Sequence, residues 1–90
     1  MAIHQRLRIL NEKGLHARAS AKFVETVERF DAYATVARDG LEVTGDSIMG
    51  LLMLGAARGA DIEVAADGPE AEALMAALEA LVANLFDEKR

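Results

Sequence analysis

The apolar residues of this chain change their spacing abruptly at Gly14–His16. Before that point they alternate, with Leu7 and Ile9 on one face and Arg6 and Arg8 on the other; beyond it Ala17, Ala21, Val24 and Val27 recur every three or four residues. A strand must therefore hand over to a helix within a few residues. The expected elements are a strand near Ile3 to Leu10 and a helix from about Ala17 to Arg29, with Phe23, Val24, Val27 and Phe30 as core or near-core anchors.

The alternation then returns. Ala34 and Val36 share one side of the segment Tyr33 to Arg38, Asp39-Gly40 has the chemistry of a two-residue primed hairpin turn, and Leu41 and Val43 continue the pattern on the way back. Asp46 or Ser47 can cap a short helix in which Ile48, Met49, Leu51, Leu52, Met53 and Leu54 are apolar around more than one face, so part of it must lie outside the core. Ile62 and Val64 mark a fourth strand before the turn at Asp67-Gly68-Pro69. Pro69 suits a first helical turn, and a closing helix from about Pro69 to Phe86 carries Ala71, Leu74, Met75, Leu78, Leu81, Val82 and Leu85 at helical spacing. The order βαββαβα, with both periodicities satisfied at once, predicts an α+β fold: a two-layer domain with one antiparallel sheet covered on one face by its helices.

Size and charge narrow the functional classes. The 90 residues make one domain, residues 1–90, with no room for a large internal cofactor cavity, and no cofactor is expected. A formal net charge of −5 argues against binding to nucleic acid or an acidic membrane and favours protein partners with basic patches. Cysteine is absent, which excludes disulfides and thiolate chemistry. The start Met1 to Arg6 lacks a signal-peptide core and no apolar run approaches the ~20 residues of a membrane span, so a cytoplasmic location is expected. His4 and His16 are the only histidines, with no carboxylates at ligand spacing, and no metal site is expected. An autonomous enzyme would need a partnered base and a substrate pocket. Glu42 and Asp46 offer no such arrangement, and Glu63 and Glu79 read as surface residues.

Chemistry concentrates in Asn11-Glu12-Lys13-Gly14-Leu15-His16-Ala17-Arg18-Ala19-Ser20. The first backbone N–H groups of a helix have no internal partners and favour an anion. The candidate cap is His16, an unusual choice where Ser, Thr, Asp or Asn is the rule. A neutral imidazole can attack phosphorus without a strong base, and phosphoryl transfer then needs alignment and a positive field for the oxygens in flight. The amides around Ala17 to Ala19 and the guanidinium of Arg18 can supply that field, while Gly14 allows a close approach or a positive φ. A solvated surface histidine is the competing explanation.

Gly14-Leu15-His16-Ala17-Arg18, together with Asp39-Gly40, Ser47-Ile48-Met49-Gly50, Leu54-Gly55 and Gly59-Ala60, resembles the HPr family of histidine-containing phosphocarriers in the bacterial phosphoenolpyruvate-dependent phosphotransferase system. The resemblance spans nearly the whole chain. It implies an open-faced sandwich of four antiparallel strands under three helices, and a carrier that is a substrate of other enzymes. His16 matches the histidine that receives phosphate on Nδ1 from enzyme I and passes it to an enzyme IIA protein. Arg18 matches the arginine that neutralises the phosphoryl oxygens. Ser47 matches the regulatory serine modified by an HPr kinase/phosphorylase in bacteria that possess one. Ile48, Met49 and Leu52 match the apolar docking patch, which Lys13, Arg18 and Lys22 would ring with charge; Ala19 and Ser20 are also expected to face partners, and the chain is expected to be a monomer.

One position departs from the family pattern: alanine, Ala19, follows the arginine where proline is usual. That favours a nitrogen-related or regulatory branch over sugar uptake. A second functional reading follows, a regulatory module of the same fold that acts mainly by docking to kinases or transcriptional regulators.

Overall fold

The structure is a computed structural model and describes residues 2–90. Its elements are β1 (Ile3–Arg8), α1 (Ala17–Glu28), β2 (Tyr33–Arg38), β3 (Leu41–Thr44), α2 (Ile48–Met53), β4 (Asp61–Asp67) and α3 (Ala71–Ala83). The four strands form one antiparallel sheet in the order β1-β4-β2-β3. Strand alternation separates its two faces. In β4, Ile62, Val64 and Ala66 are buried beneath the helices while Glu63 and Asp67 are exposed, and in β2 Ala34 and Val36 are buried. The open face carries the cross-strand pairs Arg6–Glu63 and Arg8–Asp61, at 2.8 and 3.0 Å. Such exposed pairs contribute little to stability.

The core is filled from the helices by Phe23, Leu51, Leu74 and Leu78, all without solvent exposure. Phe30 and Leu81 pack at its margin. The hairpin forms as expected, with φ of 50° at Asp39 and 82° at Gly40, the two positive values a type I′ turn needs.

Both ends of the last helix differ from the sequence expectation. Pro69 lies ahead of the helix, because Glu70 occupies the cap position and its side chain is engaged elsewhere: Oε1 accepts the Asp31 N–H at 2.7 Å. At the other end α3 stops at Ala83 instead of reaching Phe86, and Leu85, Phe86 and Asp87 take φ of 59°, 53° and 63°. Left-handed backbone costs an L-residue roughly 1–2 kcal/mol. The compensation is tertiary: the turn buries Phe86 completely and sends the last residues back toward the segment before α1.

That segment is itself tied down. Gly14 has φ of 69°, and a Cβ there would stand 2.6 Å from the Ala56 carbonyl oxygen, so both the conformation and the close approach require glycine. The neighbouring Leu15 N–H donates to that same oxygen at 2.9 Å. The loop is therefore fixed where it delivers His16 to the helix.

Candidate functional site

His16 caps α1. Its backbone is extended, with φ −80° and ψ −175°, and its carbonyl accepts the first intrahelical bond, from Ser20 N–H, at 2.8 Å. Its ring replaces the usual hydroxyl or carboxylate: Nδ1 accepts the Arg18 N–H at 3.2 Å. A nitrogen that accepts carries no proton, so in the neutral ring the proton sits on Nε2. The side chain is 26% exposed, which leaves the ring reachable from solvent.

Nε2 is hydrogen-bonded to a carboxylate oxygen of Glu88. Sequence pattern did not single out this residue. Its other oxygen, Oε1, accepts from Nδ2 of Asn11 at 3.0 Å, and Asn11, fully buried, also donates to the Gly14 carbonyl at 2.7 Å. Burial pushes the Glu88 carboxyl up, but the hydrogen bonds from Asn11 and His16, with the nearby charges of His16 and Lys13, outweigh it and hold the group below the ordinary carboxylate range. No local signal could have revealed the contact, because it joins residues 72 positions apart through a left-handed turn that no glycine announces.

Arg18 is exposed two residues beyond the cap. Its side chain borders an open cavity of about 580 Å³ together with Glu88, so it lies on the His16 side of the molecule. The same cavity is lined by Lys13, Lys22, Lys89 and Arg90, against Glu12, Asp87 and Glu88, which makes its rim predominantly cationic. Lys22 is engaged with Asp87 at 3.4 Å.

Ser47, and not Asp46, caps α2: its Oγ accepts the Gly50 N–H at 3.0 Å. The helix splits its apolar residues as its composition requires. Leu51 faces the core, while Ile48, Met49 and Leu52 are 40, 70 and 37% exposed. Met53, 67% exposed and one turn beyond Met49, extends the same apolar surface and was signalled by that spacing.

Two expected partner contacts fail. Ala19 and Ser20 are both fully buried, and Ser20 Oγ donates inward to the Leu15 carbonyl at 3.3 Å. Each lies one helical turn before a core residue, Phe23 or Val24, and so shares the face of α1 that packs inward.

No helix among the described residues is long and apolar enough to cross a membrane, and none of their His, Cys, Asp and Glu side chains form a group of three or more suited to a metal ion.

The family model for the PTS HPr component phosphorylation site matches residues 3–84. Phosphocarrier protein HPr of Neisseria meningitidis is 43% identical over 86 residues, covering 96% of this chain and 97% of that protein. Phosphocarrier protein NPr of Escherichia coli is 42% identical over 89 residues, covering 98% and 99%. The crystal structure of HPr-C-His from Thermoanaerobacter tengcongensis superposes with a TM-score of 0.92 at 34% identity, covering 98% of this chain and 99% of that one. With a family match over most of its length and a fold that superposes over 98% of the chain, this chain belongs to the HPr family of the phosphotransferase system.

Proposed function

We propose that this phosphocarrier holds its phosphoryl group on Nδ1 of His16, receives it from a phosphohistidine of enzyme I and hands it to a histidine of an enzyme IIA-type acceptor. The supporting observation is the direction of Nδ1: its lone pair points at the amino-terminal end of α1, at the Arg18 N–H. Attack on phosphorus uses that lone pair and breaks the cap bond. The freed amide then faces an oxygen of the phosphoryl group, so a helix end that was capped by nitrogen becomes capped by the anion. Arg18, with no described side chain paired to its guanidinium, is available to neutralise a second oxygen with charge-assisted hydrogen bonds.

The exposed Ile48, Met49 and Leu52 serve as the apolar centre of the docking surface, with Met53 continuing it. A small patch with charge around it suits a complex that must form and release in turn, since charge accelerates encounter and limited apolar area keeps affinity modest. Ser47 stands at the start of this helix. Phosphorylation there would place about two negative charges beside the patch and would oppose a partner's carboxylates.

Incubation with enzyme I and phosphoenolpyruvate tests the central assignment. The parent gains one acid-labile phosphate and His16→Ala gains none; equal labelling of the two would place the acceptor on another residue.

A further inference from the structure

The carboxylate of Glu88 has a mount of its own. Phe86, fully buried, anchors the left-handed turn at Leu85–Asp87, and Asn11, also fully buried, grips Oε1 at 3.0 Å while the other oxygen meets Nε2 of His16. The Glu88 side chain is only 15% exposed, so these contacts cover most of it. Because Nδ1 is the nitrogen turned toward the helix, Nε2 is the one left to Glu88, and the two nitrogens have separate roles.

We infer that Glu88 is a positioning residue for phosphoryl departure: by accepting a hydrogen bond from Nε2–H it keeps the phosphorylated His16 ring in the protonated form that can leave. The inference rests on the assignment of Nδ1 as the phosphoryl-bearing atom. As Nδ1 attacks, a P–N bond forms at His16 while the P–N bond of the donor histidine breaks and its electron pair returns to the donor ring. His16 then holds the phosphoryl group on Nδ1 and its original proton on Nε2, which makes the ring cationic. Loss of that proton to solvent would leave a neutral ring whose departure creates an imidazolate, a poor leaving group. The Glu88 carboxylate opposes that loss. On the outward step the acceptor nitrogen, or water, attacks phosphorus, the P–Nδ1 bond breaks with its pair returning to Nδ1, and the ring departs as neutral imidazole with its proton still on Nε2, hydrogen-bonded to the Glu88 carboxylate.

Other charges face this pair. Lys13 and Glu12 come from the loop before α1, Arg18 from α1 itself, and Lys89 and Arg90 from the tail, while Lys22 and Asp87 are engaged with each other. All are unchanged in the variants below, so a difference between proteins belongs to Glu88.

The parent, Glu88→Gln and Glu88→Ala proteins are phosphorylated with enzyme I and phosphoenolpyruvate, separated from it, and followed by mass analysis for loss of phosphate to water across a pH series. Removal of the negative charge is expected to move the acid-labile limb of the pH–rate profile down by about one unit in both variants, because an opposite charge in contact shifts a proton equilibrium by roughly 1–3 units. At a pH between the two limbs the variant phosphohistidine then outlasts the parent's by up to about ten-fold. A role confined to holding the tail would leave the profile in place, so superimposable profiles overturn the inference. The Gln variant, which retains the side-chain volume and an acceptor oxygen, carries the test should the Ala variant lose its fold. Failure of the parent itself to take up phosphate on His16 would instead overturn the carrier assignment, and the Glu88 role with it.

Discussion

The amide of Arg18 donates to Nδ1 of His16 across 3.2 Å, so the cap of the first helix and the expected nucleophile are one atom. Stability and chemistry therefore compete for the same lone pair. A hydroxyl or carboxylate would cap this helix at least as well, and the imidazole is explained by what else it can do.

That competition can be separated by substitution. His16→Asn supplies a good cap and should be more stable than His16→Ala by about 1 kcal/mol, the worth of the cap, while both lose the bond to Glu88 and fall below the parent. Both should abolish acid-labile phosphate uptake. Denaturant titration beside a phosphorylation assay checks the two properties together, and uptake by His16→Asn would contradict the assignment.

Met49 is the most exposed member of the apolar surface on α2, at 70%. Replacement by Glu should change stability by no more than about 0.5 kcal/mol, as expected for a surface site. Binding to enzyme I and to an acceptor domain, measured by calorimetry, should weaken by about ten-fold or more, since a charge would be buried at the centre of the contact. Undiminished binding to both would remove the patch from the docking surface.

Ser47 already has a structural task, capping α2 through Gly50 N–H at 3.0 Å. Ser47→Ala should cost about 1 kcal/mol of stability and speed amide exchange in the first turn of the helix. Incubation with an HPr kinase/phosphorylase and ATP, followed by mass analysis, should show modification of the parent and none of the variant. Modification of both would move the site to another hydroxyl.

Leu78 carries no solvent exposure and sits in the core beneath α3. Leu78→Ala should lower the unfolding free energy by about 2–5 kcal/mol. A loss below half of the lower figure would mean that the core closes over the gap.

Acid should destabilise the protein partly through Glu88. Its folded carboxyl titrates below the unfolded value, with burial opposed by the hydrogen bonds from Asn11 and His16. The stabilisation it gives is complete above the ordinary carboxylate range and is lost as pH falls through the lower, folded value. Asp61, held low by its hydrogen bond with Arg8, acts in the same direction from the exposed face of the sheet. Thermal unfolding of Glu88→Gln below about pH 4 should therefore depend less steeply on pH than that of the parent. Parallel curves would show that Glu88 has no share in the acid transition.

The sequence by itself determined the element order and the cap. Alternation at Leu7 and Ile9, helical spacing from Ala17 to Val27, and the Asp39-Gly40 turn are local properties, set by backbone sterics and by which side of one strand or helix is apolar. His16 and Arg18 were legible for the same reason, being two residues apart at one helix end. The surplus apolar character of α2 likewise announced an exposed patch, though Met53 was not assigned to it.

What tertiary structure decided is everything that depends on which face of an element meets another. Ala19 and Ser20 sit next to the expected site in the chain, yet the packing of α1 turns both into the core. The end of α3 was settled by competition: helix propensity favours continuation, but burial of Phe86 and the bonds of Glu88 to Asn11 and His16 outweigh three left-handed residues. A carboxylate 72 positions from its histidine leaves no periodic trace, because the energy that joins them is released only once the sheet and helices have brought the tail alongside the loop.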